Sequence, residues 1–180
     1  MKRILTRLCA AGALFAMTVS PSVADEMLKM TLKDGPVMIK LRPDVAPGHV
    51  ARMKELTKQG FYNGLVFHRV IDGFMAQGGD PTGTGTCGSG KKLKAEFSNV
   101  PHVRGTVSMA RSASPDSADS QFFICFDDAR FLDGQYTAGG QVVSGMEFVD
   151  AIKRGEPVQN PDKILKMEVV EEAPATESAK

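Results

Sequence analysis

The sequence predicts a mainly β protein, an antiparallel barrel or sandwich carrying two isolated helices. Short apolar runs recur along the chain with turn residues between them. Asp34-Gly35 separates two alternating runs, a strong short-range hairpin signal. Helical periodicity occurs only twice, so the chain does not read as alternating parallel βαβ units.

Taken in order, residues 27–32 (MLKMTL) alternate apolar and polar, and 37–41 (VMIKL) resume the pattern after the turn. Pro47 opens a helical pattern through His49, Val50, Met53, Leu56 and Thr57, and Gly60 stops it. Strands are expected around 65–71, 106–110, 121–126 and 136–143. A short helix at 146–153 should end at Gly155 and Pro157, and a final strand covers 164–170. The tail, 173–180 (APATESAK), is polar with no apolar period and is expected to be disordered. No internal repeat is visible.

The first 24 of the 180 residues read as a cleaved secretory signal of bacterial style. Lys2, Arg3 and Arg7 form a basic region, 8–19 an apolar one, and Ser22-Val23-Ala24 an A-x-A-like cleavage site. The apolar stretch is shorter than the roughly 20 residues a membrane-spanning helix needs. Cys9 follows bulky Leu8 and does not resemble a lipid-attachment cysteine. One domain, 25–172, should remain. Removing Lys2, Arg3 and Arg7 takes the 22 basic residues to 19 against 21 acidic, so the net charge moves from +1 to −2. That balance points to no nucleic-acid partner, and no membrane insertion is expected after cleavage. Of the remaining cysteines, Cys125 sits in an apolar run (QFFICF) and reads as a buried inert thiol. Cys87 lies in a glycine-rich loop and is expected to be accessible, so a Cys87–Cys125 bridge is disfavoured.

Residues 67–80, FHRVIDGFMAQGGD, read as a buried strand with the permanently charged Arg69 in its middle. Desolvating a guanidinium is costly unless something compensates it. The next polar residue able to share its surroundings is Gln77, beside the apolar pair Phe74 and Met75. One cation, one amide and an apolar patch suit neither a metal nor a nucleophile. They suit an apolar group carrying a carbonyl, such as a proline and the peptide bond before it. At period two, Gln121 and Phe123 share one strand face, repeating this chemistry, while Phe122 and Ile124 share the core face.

Other constellations carry less. Residues 85–91 (GTCGSGK) satisfy the spacing of a phosphate-binding loop, but Lys92 stands where a Ser or Thr is needed and no apolar helix follows. A surface loop near a groove is the better reading. His49, His68 and His102 have no partner at metal-ligand spacing and read as satisfied structural histidines. No G-x-S-x-G elbow occurs, and a Ser/His/Asp triad cannot be built from local sequence.

FHRVIDGFMAQGGD, followed in order by GTVSMA, SQFFIC and FLDGQY, resembles a cyclophilin, a peptidyl-prolyl cis/trans isomerase. The likeness runs from about Met27 to Val170, and the leader and PTGTGT loop resemble the bacterial periplasmic branch. It implies a closed eight-stranded antiparallel barrel capped by two helices. It also implies a monomer in the periplasm that acts on proline-containing folding polypeptides without metal or cofactor. By the same resemblance Arg69 would be the catalytic arginine and Gln77 the amide that holds the substrate carbonyl. Phe74, Met75, Phe123 and Leu132 would form the proline pocket. Ala110 and Arg111 would bind the residue before the proline through their backbone, and Gln121 would line the same groove. Phe131 stands where relatives have a Trp, which implies weaker cyclosporin binding. Tyr136 replaces a pocket His, Arg111 an Asn, and Gly139 an aromatic.

Two other classes compete. A proline-peptide binding module or chaperone would not need to keep Arg69. A hydrolase using Cys125 or Ser108 lacks an activating base nearby in sequence.

Overall fold

The structure, a computed structural model, describes residues 26–171. The leader and the polar tail lie outside the described residues. The first hairpin pairs β1 (Glu26–Thr31) with β2 (Pro36–Leu41), and the Leu32 N–H donates to the Gly35 carbonyl across the Asp34-Gly35 turn at 3.0 Å. Gly35 is required by packing, because a Cβ there would meet the Phe148 ring at 2.4 Å.

Helix α1 (Pro47–Lys58) starts on its proline, whose missing N–H is no loss at that position. It buries the five residues that the 3.6-residue period selected and ends at Gly60, whose φ of 71° is left-handed. Six further strands follow: β3 (Arg69–Ile71), β4 (Met75–Gly78), β5 (Thr106–Met109), β6 (Phe122–Cys125), β7 (Ala138–Ser144) and β8 (Lys166–Glu171). Helix α2 (Met146–Asp150) packs on β2, and α1 on β7 and β8.

Strand β4 is absent from the sequence expectation, although Asp72-Gly73 marks its hairpin with the same dipeptide as the first turn. The strand expected over 65–71 shortens to three residues, because its first half bonds to a loop instead. The Phe67 N–H donates to the Asp162 carbonyl at 3.0 Å, and Val66 makes a single bridge to Lys163.

All pairings are antiparallel, in the order β3-β4-β6-β5-β7-β2-β1-β8. The sheet is an open half-barrel and not the closed barrel expected. Its end strands, β3 and β8, do not pair; residues 155–164 run between them and bond to the outer edge of β3 and the chain before it.

In the main core, Leu28, Ile39, Met53, Tyr62, Phe67, Phe122 and Ile124 are fully enclosed. Gly139, where the family resemblance implies an aromatic, leaves modest room. An added Cβ would meet only Val50 Cγ2, at 3.9 Å.

Candidate active site

The site is set by strand register. Arg69 pairs with Gln77, Gln77 with Phe123, and Phe123 with Ser108. Directly opposed residues project to one face of a sheet, so guanidinium, amide and aromatic ring stand in a row. The neighbouring row, Val70, Ala76, Ile124 and Val107, projects the other way into the main core. Met75 and Cys125 pair in the next row and return to the face of Arg69. There Met75, Phe123, Cys125, Ala129 and Leu132 form a second apolar cluster, with Phe74, Ala110 and Tyr136 against it.

Above this cluster lies a cavity of about 310 Å³. Arg69 and Gln77 form its polar side, and Phe74, Met75, Phe123 and Leu132 its apolar floor and wall. Phe131, 65% exposed, and Tyr136 stand at the rim beside Ala110 and Arg111. The Tyr136 ring meets Phe123 edge-on at 5.8 Å, and Phe131 leans on Phe74 at 5.5 Å. The Arg111 guanidinium folds over the Tyr136 ring at 4.6 Å, and its Nε donates to the Gln135 carbonyl at 3.0 Å.

Ten of the eleven residues singled out from sequence line this cavity. The eleventh, Gln121, lines an adjoining one of about 250 Å³ that shares Gln77, Ala110 and Arg111 with it. The two glutamines are locked together: Gln77 Nε2 donates to Gln121 Oε1 at 2.9 Å. Gln121 Nε2 in turn donates to the Cys87 and Gly85 carbonyls at 2.8 and 3.1 Å.

Arg69 is not the desolvated cation that the strand-like sequence suggests. Its side chain is 38% exposed, because β3 is an edge strand whose outer side faces a loop. Its Nε donates to Glu156 Oε1 at 2.5 Å, and its Nη1 lies 3.5 Å from Gln77 Oε1. Sequence reasoning gave no hint of Glu156, since 87 residues separate the two.

The glycine-rich loop is organised by Asp80, itself 1% exposed. Burial alone would raise its carboxyl. Hydrogen bonds from the Thr82 N–H and hydroxyl and from the Cys87 and Gly85 N–H groups outweigh that and hold it at about 2. These bonds shape the rim of the adjoining cavity, which explains a phosphate-loop spacing without phosphate chemistry. Cys87 is exposed there and Cys125 buried, both as free thiols; burial pushes the Cys125 thiol up to about 12.

The histidines divide. His49 Nδ1 meets Glu96 at 2.7 Å. His68 departs from the expectation of a satisfied ring, since it is buried with neither nitrogen partnered among the described residues, and burial lowers its pKa.

His102 assembles what local sequence could not. Its Nδ1 lies 2.9 Å from Asp133 Oδ1, and its Nε2 lies 2.9 Å from Ser108 Oγ. A base therefore does stand beside Ser108, contrary to the reason for which the hydrolase reading was set aside. The conclusion survives on other grounds: His102 is 1% exposed and Ser108 0%, so no substrate carbonyl can reach the hydroxyl. Instead the His102 ring stacks behind Phe123, at 6.3 Å and 20°.

Residues 27–170 match the family described as cyclophilin type peptidyl-prolyl cis-trans isomerase/CLD. A Brucella suis relative, named "Probable peptidyl-prolyl cis-trans isomerase", is 52% identical over 87% of this chain and 92% of its own length. Peptidyl-prolyl cis-trans isomerase B of Bacillus subtilis is 45% identical over 69% of this chain and 89% of its own. A crystallised cyclophilin from Hirschia baltica superposes with a TM-score of 0.73 at 30% identity, covering 79% of this chain and 73% of that one. A Cryptosporidium parvum cyclophilin, crystallised in the presence of the dipeptide Ala-Pro, gives 0.74 at 26% identity, covering 80% and 98%.

Proposed function

This chain belongs to the cyclophilin-type peptidyl-prolyl cis-trans isomerase family, and we propose that Arg69 drives its reaction by donating a hydrogen bond to the prolyl nitrogen. Rotation about an X–Pro bond is opposed by amide resonance, with a barrier of about 18–20 kcal/mol. As the bond twists, the nitrogen becomes pyramidal and gains a lone pair. A donor placed there is stronger in the twisted state than in the planar one, which is the condition for lowering a barrier. Arg suits the role because it stays protonated and holds its N–H groups in a fixed fork.

The carrying observation is the Arg69–Gln77–Phe123 row. It sets a cation and an amide at the wall of a cavity of about 310 Å³ whose floor is apolar. In this reading Phe74, Met75, Phe123 and Leu132 grip the ring, and Gln77 meets the carbonyl before it. The Ala110–Arg111 backbone and Gln121 hold the preceding residue. Positioning of this kind turns loose encounter into an ordered one. Phe131, with no indole N–H, makes cyclosporin a weak ligand.

The test is a protease-coupled assay on an X–Pro peptide. Arg69→Ala should lower kcat/KM by about 10²–10³-fold, the scale of losing one transition-state donor, with an unchanged melting temperature. Equal rates would overturn the assignment and favour a proline-peptide binder.

We further propose export to the periplasm and clients that fold after secretion, on the basic, apolar and Ser22-Val23-Ala24 segments of the leader. A mature N-terminus at Asp25 in the periplasmic fraction is expected. An uncleaved cytoplasmic protein would refute it.

A further inference from the structure

We infer that Glu156 is a positioning residue for Arg69, held in place by a strap that occupies the open seam of the half-barrel. The inference rests on Arg69 being the donor proposed above and concerns how its guanidinium is aimed.

Residues 155–158 run along the outer edge of β3. The Val70 N–H donates to the Gly155 carbonyl, and the Gly155 N–H returns a bond to Val70, both at 2.8 Å. On the other side of Arg69, the Val158 N–H donates to the His68 carbonyl at 3.1 Å. Glu156 therefore lies between two backbone anchors that flank Arg69 itself. The turn into the strap is cramped: a Cβ on Gly155 would sit 2.8 Å from the Pro157 carbonyl oxygen. Upstream, Arg154 Nε donates to Asp72 Oδ1 at 3.0 Å, while its guanidinium lies 4.1 Å over the Phe126 ring. The strap is pinned independently of the ion pair it presents.

The chemistry of aiming follows from the donor inventory. A guanidinium carries five N–H donors in one rigid plane. Glu156 takes the Nε donor and Gln77 lies nearest Nη1. Two fixed points set the orientation of the plane, and the remaining donors can serve the substrate. Gln77 is itself held by Gln121, which is tied to the carbonyls of Gly85 and Cys87. A chain of bonds thus runs from the strap through Arg69 and both glutamines to the glycine-rich loop. Without Glu156, a side chain 38% open to solvent keeps only its 3.5 Å approach to Gln77. A closed ladder between β3 and β8 would leave no place for such a strap beside Arg69.

Glu156→Ala and Glu156→Gln, with Arg69→Ala as reference, test this at fixed ionic strength. Glu156→Ala should lower kcat by about 10-fold, as misaiming costs rate, with KM and melting temperature nearly unchanged. Glu156→Gln retains an acceptor oxygen at the same reach and should recover most of the loss. By NMR, the Arg69 Nε–H signal should exchange slowly in the wild type and in Glu156→Gln, and be lost in Glu156→Ala. Wild-type or raised kcat in Glu156→Ala, or an Nε–H signal indifferent to it, overturns the inference. If Arg69→Ala loses activity while Glu156→Ala does not, only the aiming role fails. If Arg69→Ala keeps its activity, the donor assignment itself has failed.

Discussion

The two faces of one sheet carry two apolar clusters with opposite fates. On the core face, Val70, Ala76, Ile124 and Phe122 are sealed, and the Tyr62 hydroxyl buried beside them donates to the Ser120 carbonyl at 3.2 Å. On the other face, Phe123 and Met75 are nearly as buried, yet the cluster they belong to opens into a cavity walled by Arg69 and Gln77. Strand alternation alone separates them, since Phe122 and Phe123 are adjacent in sequence. The difference teaches that burial does not distinguish core from site. What distinguishes them is whether a second layer closes over the cluster. The remaining sheet and α1 cover one face, whereas residues 129–136 cover the other only in part and leave the cavity open.

The largest test contrasts the two phenylalanines. Phe122→Ala leaves a sealed void and should cost about 3–5 kcal/mol in urea unfolding. Phe123→Ala only enlarges an existing opening, so about the transfer contribution, 1.5–3 kcal/mol, should be lost, together with most activity. Equal stability losses would break the comparison.

Acid should next separate the regions. The Asp80 carboxyl is depressed in the folded protein, from 3.8 to about 2. Its contribution is therefore complete above about pH 4 and lost as pH falls toward 2. Amide exchange should rise first in the loop that Asp80 gathers, on the cavity side, while the amides of Val107 and Ile124 stay protected. Simultaneous opening would mean the loop and core are one unit.

A smaller effect is expected at Gly139, behind the core. Its backbone is not left-handed and a Cβ there has room, so Gly139→Ala should stabilise by about 0.4–1 kcal/mol without altering activity. Its neighbour Gly140 should respond oppositely, because a Cβ there would lie 3.0 Å from Ile39 Cγ2. The smallest expected effect is none at all. Since the proposed mechanism uses a guanidinium donor and no titrating acid or base, kcat/KM should be flat from about pH 6 to 9. A limb with a histidine-like midpoint would implicate His102 or His68 in catalysis and erase the division between site and support.

Much of this protein was legible from its residues in order. Period-two alternation assigned Phe122 and Phe123 to opposite faces, Asp34-Gly35 marked the first hairpin, and Pro47 and Gly60 bounded α1. Local backbone preference and the alternation of side chains decide these features, and both act between near neighbours. The eleven residues of the candidate site were also nameable, through motifs resembling a known family. What near neighbours cannot encode is which distant segments share an edge. The open seam, the carboxylate of Glu156 on Arg69 and that of Asp133 on His102 depend on distant residues, the two pairs lying 87 and 31 positions apart. Only the packed chain decides such pairings, because each is one long-range contact selected by the cooperative closure of the whole sheet and its strap.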